Sequence, residues 1–375
     1  MPRMRICIDA RMMGAEKTRG IGRYTEELVR AMIAETSEDV FIVVVRSSNH
    51  PFANHPRVET VVADIPWYTW REQMEMPKIF DRVRADVFHV PHWNVPFQCP
   101  RPLVITIHDL ILRHTPASAK SSTRGWFVRT INTVAYRLIL SRAIWCAECI
   151  VIPTEFVKND VARFYPSATS RLIVSGEGMP MLDLATKPLE ADDSQPQPFL
   201  LSVGSAYPHK GLEDVLKAWP RIRSLFPDLE WHIVGELDVF MERLRSKARD
   251  LDGIIFRGRL TGPQLNTEYT CASALIFPSH DEGFGLPVLE AIAHGCPVIS
   301  STAGPLREVL GEDGAMFFPT GEISGIISAV QVFFREQEVW REQTAKIAPK
   351  LAEKHAWTHA ARLTLEAYRA VHTRS

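Results

Sequence analysis

Residues 277–291 read FPSHDEGFGLPVLEA, in which a short apolar run leads through a loop with two glycines into an amphipathic segment. This order is typical of a strand that feeds a helix in a parallel sheet. Pro287 fits the first turn of such a helix, where its missing N–H is not needed. The stretch therefore predicts a strand, a loop and a helix that begins at Leu286.

Two carboxylates flank the predicted start of this helix. Glu282 lies in the loop, and Glu290 lies about one turn into the helix. The first N–H groups of a helix have no partner inside it. Here they belong to Phe284, Gly285 and Leu286. Because a carboxylate can accept hydrogen bonds from two hydroxyls at once, the combination favours a site for a polyhydroxylated ligand.

The alternation of strand and helix continues on both sides of this stretch. Predicted strands cover Arg5–Asp9, Val40–Arg46, Val58–Ala63, Asp86–Val90, Leu103–His108, Cys149–Pro153, Arg171–Ser175, Phe199–Val203, Glu230–Val234, Ile254–Phe256, Ala274–Phe277 and Pro297–Ser300. Predicted helices cover Tyr24–Glu35, Trp70–Arg84, Thr123–Ala147, 155–165 with Thr154 as N-cap, Leu212–Leu225, Val239–Asp250, Gly262–Cys271, Leu286–His294 and much of 322–371. This pattern is that of parallel sheets covered by helices.

The periodicity breaks around residues 180–198, which are rich in proline and acid and predict a linker. We therefore expect an α/β protein with two Rossmann-like, doubly wound domains, at residues 1–180 and 198–355. The linker then covers residues 181–197, and a last helix covers residues 356–375.

Composition excludes several classes of protein. With 46% hydrophobic and 23% charged residues, the chain has the balance of a globular protein. No run approaches the roughly 18 apolar residues that span a bilayer, and no signal peptide is recognised, so a cytoplasmic protein is expected. The net charge of −1 argues against nonspecific binding of nucleic acid. The six cysteines suggest neither a disulfide framework nor a zinc site.

Three further segments follow predicted strands. Gly20 and Gly22 lie between the first strand and its helix, where glycines allow close approach to an anion, or simply form a flexible loop. His108 ends an apolar strand, where it can face a ligand or hold a structural hydrogen bond. Lys210 follows Gly204 and precedes a helix, so it can pair with a diphosphate or remain solvated.

The Glu282-x7-Glu290 segment with its Gly-Phe-Gly-Leu-Pro centre resembles the signature of the retaining GT-B glycosyltransferases of family 4. The resemblance covers nearly the whole chain. It includes the glycine loop at 19–25, the strand ending in His-Asp at 104–110, the Gly…Pro-x-Lys loop at 200–212 and the tail at 357–368. Within the family, the chain looks most like bacterial mannosyltransferases of surface-polysaccharide assembly. The resemblance implies two domains that face each other across a cleft, and a last helix that crosses back to the first domain.

The resemblance also implies roles for single residues. His108, Lys210 and Glu282 would be the catalytic residues, with His108 and Glu282 on the transferred sugar and Lys210 on the diphosphate. Glu290 would hold the ribose hydroxyls, and Leu260 would lie near the base. The donor-binding set would be Gly20, Gly22, Gly204, Ser205, Lys210, Leu260, Gly283, Phe284, Gly285, Leu286 and Glu290.

Three positions depart from the family pattern. Ser205 and His209 stand where relatives often have arginine, and Gly176-Glu177-Gly178 stands where they usually have Asn-Gly-Val. More of the work on the diphosphate is therefore left to Lys210. Asp250-Leu251-Asp252 spells the metal motif of another glycosyltransferase fold, but its position predicts a solvated turn. We expect no metal and no cofactor, with the nucleotide sugar as co-substrate.

The expected mechanism is substitution on one face of the sugar through an oxocarbenium-like state, since no carboxylate is clearly placed as a nucleophile. GDP-mannose is the first choice of donor, with UDP-glucose, UDP-N-acetylglucosamine and dTDP-rhamnose left open. The acceptor is expected to be a saccharide, free or polyprenyl-linked. A basic and aromatic stretch from Arg124 to Trp145 fits either peripheral contact with the inner face of the cell membrane or packing on the core.

Other functions are compatible with parts of the same pattern. An epimerase or a phosphorylase can use the same scaffold, although a phosphorylase predicts a much longer chain. A nicotinamide oxidoreductase is disfavoured because Thr25 stands where the third glycine of the fingerprint is needed. A non-catalytic protein that binds nucleotide sugars would share most of the site, and donor hydrolysis without acceptor distinguishes it.

Overall fold

The computed structural model describes residues 3–13, 20–115, 126–179 and 197–374. These residues divide into two compact units. The first unit holds the described residues up to Arg113, those from 126 to Gly178 and those from His355 onward. The second holds His114 and Thr115, Met179, and residues 197–354. The predicted linker lies outside the described residues except for its last position, 197.

The first unit is built on a sheet of seven strands in the order β3-β2-β1-β4-β5-β6-β7, all parallel. The strands are β1 (Arg5–Asp9), β2 (Val40–Val45), β3 (Val58–Val62), β4 (Val87–Val90), β5 (Leu103–Thr106), β6 (Cys149–Ile152) and β7 (Leu172–Val174). Strands β2 and β5 are buried along their whole length, and β2 is an unbroken apolar run, because helices cover both faces of the sheet.

The helices in the first half of the chain are α1 (Gly20–Glu35), α2 (Trp70–Arg82), α3 (Ile111–His114), α4 (Trp126–Cys146) and α5 (Glu155–Phe164). Helix α1 packs on one face of the sheet through Leu28 and Met32. Helices α2, α4 and α5 pack on the other face. Thr154 caps α5 by accepting a hydrogen bond from the N–H of Val157, as the sequence predicts.

The second unit is built on a sheet of six parallel strands in the order β10-β9-β8-β11-β12-β13. The strands are β8 (Phe199–Val203), β9 (Glu230–Val234), β10 (Ile254–Gly258), β11 (Ala274–Phe277), β12 (Val298–Ser301) and β13 (Met316–Phe318). The helices are α6 (Leu212–Leu225), α7 (Val239–Lys247), α8 (Gly262–Cys271), α9 (Leu286–Ala293), α10 (Leu306–Leu310), α11 (Ile323–Arg335) and α12 (Gln337–Lys354). Apolar clusters fill both faces of this sheet as well.

A last helix, α13 (Trp357–His372), belongs to the first unit and packs against α1. Its Tyr368 hydroxyl lies 2.5 Å from Nδ1 of the buried His89. Its Arg369 donates to the carboxylate of Asp39, which is also buried, at 2.9 Å. Apolar packing and two polar contacts thus attach α13 to strands and loops that lie near the start of the chain.

Each sheet has one position at which the strand order reverses. In the first unit it lies between β1 and β4, and in the second between β8 and β11. At such a point the loops after the two central strands lead in opposite directions and leave a crevice, where open α/β sheets bind their ligands. The loops after β1, β4, β8 and β11 are therefore where functional residues are expected.

The predicted fold class, two Rossmann-like α/β domains, is confirmed by the two parallel sheets. One local prediction is wrong, because α1 begins at Gly20 and not at Tyr24. Gly20 and Gly22 lie in the first turn of the helix, where the Thr25 hydroxyl already donates to the carbonyl of Ile21. Among the described residues, no helix is long and apolar enough to span a membrane.

Candidate functional site

Two loops meet at the strand-order reversal of the second unit. One runs from β8 to α6 through Lys210, and the other runs from β11 to α9 through Glu282. The N–H of His280 in the second loop donates to the carbonyl of His209 in the first, at 2.6 Å. Gly211 has φ +66°, and a Cβ there would lie 2.1 Å from the carbonyl oxygen of Pro278. Glycine is therefore required for this close approach of the two loops.

Lys210 and Glu282 form an ion pair where the loops meet. The Lys210 Nζ lies 2.6 Å from Glu282 Oε1, and the Ser279 hydroxyl donates to the same oxygen at 2.6 Å. The Glu282 side chain is 7% exposed and that of Lys210 is 22% exposed. One carboxylate oxygen thus accepts two hydrogen bonds, while the ammonium retains further donors for a ligand. Two residues that the sequence assigns to the sugar and the diphosphate are in direct contact.

Glu290 is held by a residue that the sequence analysis did not single out. The hydroxyl of Tyr269, on α8, donates to Glu290 Oε2 at 2.7 Å, and both side chains are buried. The Tyr269 ring stacks on His294, with 5.4 Å between ring centroids. The bond from Tyr269 fixes one oxygen of the carboxylate that is predicted to hold ribose. Nothing in the spacing of Tyr269 and Glu290, 21 residues apart, could have indicated this contact.

The glycine loop before α9 is anchored by its apolar residue. Phe284 is buried in the apolar cluster of the sheet, so its side chain fixes the loop and cannot face a ligand. Gly285 is the N-cap of α9 with φ +96°, a conformation that favours glycine. Pro287 follows in the first turn, as predicted. The assignment of Gly283, Phe284, Gly285 and Leu286 to donor binding stays a prediction that rests on their place at this helix start.

The remaining predicted residues of the second unit lie at the same edge or close to it. Gly204 directly follows β8 with φ +134° and open space around its missing side chain, and half-buried Ser205 comes next. Leu260 follows β10 and is half buried against the core.

Burial, together with the charge of Lys210, lowers the pKa of His209 to about 4. His209 is therefore neutral near pH 7 and does not supply a cation beside Lys210.

His108 lies in the first unit, two residues beyond the end of β5. Its Nδ1 lies 2.9 Å from Glu177, its Nε2 lies 3.2 Å from the carbonyl oxygen of Pro91, and its ring packs edge-on against Tyr24. Burial lowers the pKa of His108, but the hydrogen bond and the charge of Glu177 outweigh it, and the pKa is raised. Both ring nitrogens face acceptors, as in a protonated imidazole. Contact of His108 with a sugar stays a prediction.

Gly20 and Gly22 also belong to the first unit and differ from each other. Gly20 is exposed with open space where a side chain would be, whereas Gly22 is buried. Their predicted role in donor binding therefore stays a prediction.

The turn at Asp250–Asp252 in the second unit lies before β10, at the end of the sheet opposite to the ligand edge. The carbonyl of Asp252 accepts the indole N–H of Trp219 at 2.8 Å, which gives this turn a structural role.

Models of known protein families match both halves of the chain. A family model described as Glycosyltransferase Family 4 matches residues 18–176, and one described as Glycosyl transferases group 1 matches residues 197–335. The O-antigen chain mannosyltransferase B of Escherichia coli is 23% identical, over 93% of this chain and 96% of that protein.

Solved structures agree with the family models on the fold. Sucrose-phosphate synthase from Thermosynechococcus elongatus covers 100% of both chains with a TM-score of 0.77 and 18% identity. Anabaena HepE, solved in complex with UDP-glucose, covers 98% of this chain and 100% of its own with a TM-score of 0.70 and 15% identity. The two family models together cover strands β2 to β13, and the chain therefore belongs to the family 4 and group 1 glycosyltransferases of the GT-B fold.

Proposed function

We propose that this glycosyltransferase moves mannose from GDP-mannose to a saccharide acceptor, with retention of the anomeric configuration. The cluster of Lys210, Glu282 and Ser279 carries the proposal, because it places a cation and a buried carboxylate together at the strand-order reversal of the second unit. The choice of mannose is supported by the similarity to a mannosyltransferase of Escherichia coli.

The ion pair gives Lys210 and Glu282 a defined role when the donor arrives. A diphosphate carries more negative charge than one carboxylate, so it competes for the Lys210 ammonium. Glu282 then keeps its bond from Ser279 and gains capacity to accept hydroxyls of the sugar. When the diphosphate replaces Glu282 at the Lys210 ammonium, the leaving group is bound and the Glu282 carboxylate becomes available to the sugar.

In the transfer step, the bond between the sugar C1 and the diphosphate oxygen breaks while the acceptor oxygen bonds to C1 on the same face. The acceptor proton passes to a diphosphate oxygen. Lys210 stabilises the charge that develops on the leaving group, and a preorganised cation of this kind contributes most where water is excluded. The proposal assigns this work to Lys210 and requires no metal.

Other donors remain candidates, and the same assay separates them. Anabaena HepE is solved with UDP-glucose, so a uridine donor is the first alternative. A thermal-shift panel of GDP, UDP, dTDP and their sugar conjugates identifies the base, since a ligand that binds only the folded protein raises its Tm. Radiolabelled GDP-mannose and UDP-glucose, each with mannobiose as acceptor, then identify the transferred sugar.

The matched variants for this panel are Lys210→Ala and Lys247→Ala. Lys247 is an exposed lysine of the same unit that pairs with Glu213 at 2.7 Å and not with Glu282. We expect the Tm shift with the preferred nucleotide to be lost in Lys210→Ala and kept in Lys247→Ala. A wild-type protein that no nucleotide stabilises at millimolar concentration would overturn the donor assignment.

We also propose that α4 rests on an anionic membrane surface, where a polyprenyl-linked acceptor would be found. Val134, Leu138 and Trp145 are exposed apolar residues on this helix, and Trp145 is 66% exposed. Arg142 and Arg101 lie over the Trp145 ring at 4.8 and 6.0 Å. Apolar side chains beside arginines are the pattern of a helix that binds an interface.

Vesicle flotation tests the membrane contact. We expect the wild type to float with vesicles that contain phosphatidylglycerol, and Trp145→Ser with Leu138→Ser to remain in solution. Val339→Ser is the control, because Val339 is equally exposed on α12 of the second unit. Flotation that is the same for all three proteins would contradict the proposal.

A further inference from the structure

A small pocket lies at the strand-order reversal of the first unit, where the predicted residues Gly20 and Gly22 flank one of its lining residues, Ile21. It is lined by Asp9, Met12, Ile21, Trp67, Val90, Pro91, His92 and Asn94. Asp9 ends β1 and Val90 ends β4, the two strands on either side of the reversal. Its enclosed part measures about 10 Å³, which is room for one water molecule or one hydroxyl group.

Asn94 gives this pocket an unused hydrogen-bond acceptor. Its side-chain nitrogen donates to Glu72 at 2.8 Å, which leaves Oδ1 as the free end of the amide. Asn94 is 3% exposed, and Oδ1 has no hydrogen-bond partner in the structure. A buried acceptor without a partner is costly, so a donor from outside the chain is expected to satisfy it.

A buried ion network behind the pocket fixes its walls. Arg11 donates to Asp9 and to Glu72, each at 2.7 Å, and all three side chains are buried. The backbone N–H of Tyr68 donates to the second oxygen of Glu72 at 2.7 Å. Tyr68 has φ +61°, a conformation that is costly for a residue with a side chain. The network thus holds Trp67, the neighbour of Tyr68, in place at the pocket.

The charges around the pocket disfavour an anion. Among the described residues, Asp9 and Glu72 carry two negative charges against the one positive charge of Arg11, and the pair of His108 with Glu177 beside Pro91 adds no net positive charge. Burial, with the nearby charge of His108, lowers the pKa of His92 to about 3, so His92 is neutral. Arg46 lies over one face of the Trp67 ring, but it is paired with Asp64. The surroundings therefore accept hydrogen bonds and repel negative charge.

We propose that this pocket binds a hydroxyl of a neutral sugar at the end of the acceptor, with Oδ1 of Asn94 as the hydrogen-bond partner. The free face of Trp67 packs against the sugar ring. The proposal rests on the function proposed above and narrows it, since an acceptor whose terminal sugar carries a phosphate or a carboxylate is excluded. It assigns a role to Asn94 and Trp67 that the motifs of the family did not provide.

The first test compares acceptors that differ in charge alone. Neutral mannobiose and glucobiose are offered beside mannobiose with a 6-phosphate on its terminal sugar, and beside mannobiose oxidised there to the uronate. We expect transfer to at least one neutral disaccharide, and kcat/KM at least tenfold lower for both charged forms of the same sugar. Equal use of neutral and charged acceptors, or use of charged ones alone, would overturn the proposal.

The second test uses a matched pair of tryptophans. Trp67→Ala removes the lining residue, whereas Trp70→Ala removes a residue three positions on that is 85% exposed and does not line the pocket. We expect KM for the acceptor to rise at least fivefold in Trp67→Ala only, with KM for the donor and donor hydrolysis unchanged. An unchanged acceptor KM in Trp67→Ala would contradict the inference.

Asn94→Ala provides an independent measurement, with the nucleotide-induced Tm shift as the check that the variant is folded. We expect this shift to be kept while KM for the acceptor rises. A normal acceptor KM in folded Asn94→Ala counts against the role of Oδ1. Failure of the proposed function looks different, because neither nucleotide binding nor donor hydrolysis would then be seen in the wild type.

Discussion

At the scale of single residues, the candidate residues of each unit are held by a partner within that unit. Tyr269 holds Glu290, Ser279 and Lys210 hold Glu282, and Glu177 holds His108. Glu282, Glu290, Lys210 and His108 could be selected from the sequence, because they lie in or beside motifs. Tyr269 and Ser279 could not be selected for these roles, because their contacts arise only when the loops and helices are folded.

Tyr269→Phe removes the hydrogen bond to Glu290 without changing the shape of the core. The freed carboxylate is then less well oriented toward ribose, so we expect the affinity for the preferred nucleoside diphosphate to fall about three- to tenfold, the equivalent of one ordinary hydrogen bond. Isothermal titration with the nucleotide and with its 2′-deoxy form measures the effect. The change should reduce the affinity for the deoxy form less than the affinity for the nucleotide. An equal loss of affinity for both would contradict the role of Glu290 in binding ribose.

Glu177→Gln tests the charge state of His108. A group whose pKa is raised on folding contributes stability below its unfolded pKa, and this stability is lost as the pH rises through the folded pKa. The charged neighbours are Glu177 and Asp109, while His89 and His92 are neutral because burial lowers their pKa values to about 3. We therefore expect Glu177→Gln to lower the Tm more at pH 6 than at pH 9. An equal loss at both pH values would contradict this account.

At the scale of elements, each unit has one contact between segments that are distant in sequence. One is the close approach of the β8–α6 and β11–α9 loops, and the other is the packing of α13 on α1. The strands and most helices could be predicted from sequence to within a few residues, because their apolar periodicity is strong. Strand β13 and helices α3 and α10 were missed, since elements of three to five residues are too short to show a strand or helix period.

Gly211→Ala tests the approach of the two loops. Its Cβ would collide with the carbonyl of Pro278, and its positive φ adds strain. We expect nucleotide affinity to fall more than tenfold, because Lys210 and Glu282 are pushed apart. Gly311→Ala is the control, with φ +72° and open space around the added Cβ. It should cost about 1–2 kcal/mol of stability from strain alone and keep nucleotide binding.

Tyr368→Phe tests the attachment of α13 to the first unit. The change leaves His89 without one buried partner, so the free energy of unfolding should fall by about 1–3 kcal/mol in urea titrations. Glu366→Ala is the control on the same helix, because Glu366 is exposed, and it should change stability by less than about 0.5 kcal/mol. Equal effects of the two changes would show that the contact with His89 is unimportant.

At the scale of the whole molecule, the class of fold follows from the sequence more securely than the substrate does. Alternating strands and helices predict two doubly wound sheets, and both are present. The small pocket of the first unit that Asn94 lines could not be predicted, because Asp9, Trp67 and Asn94 are brought together only by the order of the strands. No motif marks these residues.

Transfer without a metal is a prediction for the complete enzyme. The proposed mechanism gives the charge of the leaving diphosphate to the Lys210 ammonium. We therefore expect the initial rate in excess EDTA to stay within about twofold of the rate with magnesium, a difference of only ~0.4 kcal/mol in the barrier. A loss of activity in EDTA that magnesium or manganese restores would refute this mechanism.

The place of α13 has a consequence for the making of the protein. Arg369 and Asp39 are in contact across 330 positions of sequence, and the whole second unit is translated between them. At ordinary speeds of synthesis this interval lasts roughly 15 to 70 seconds. During that time the apolar face of α1 has no partner helix on the nascent chain. Ribosome-associated chaperones are therefore expected to engage the first unit until translation reaches its closing helix.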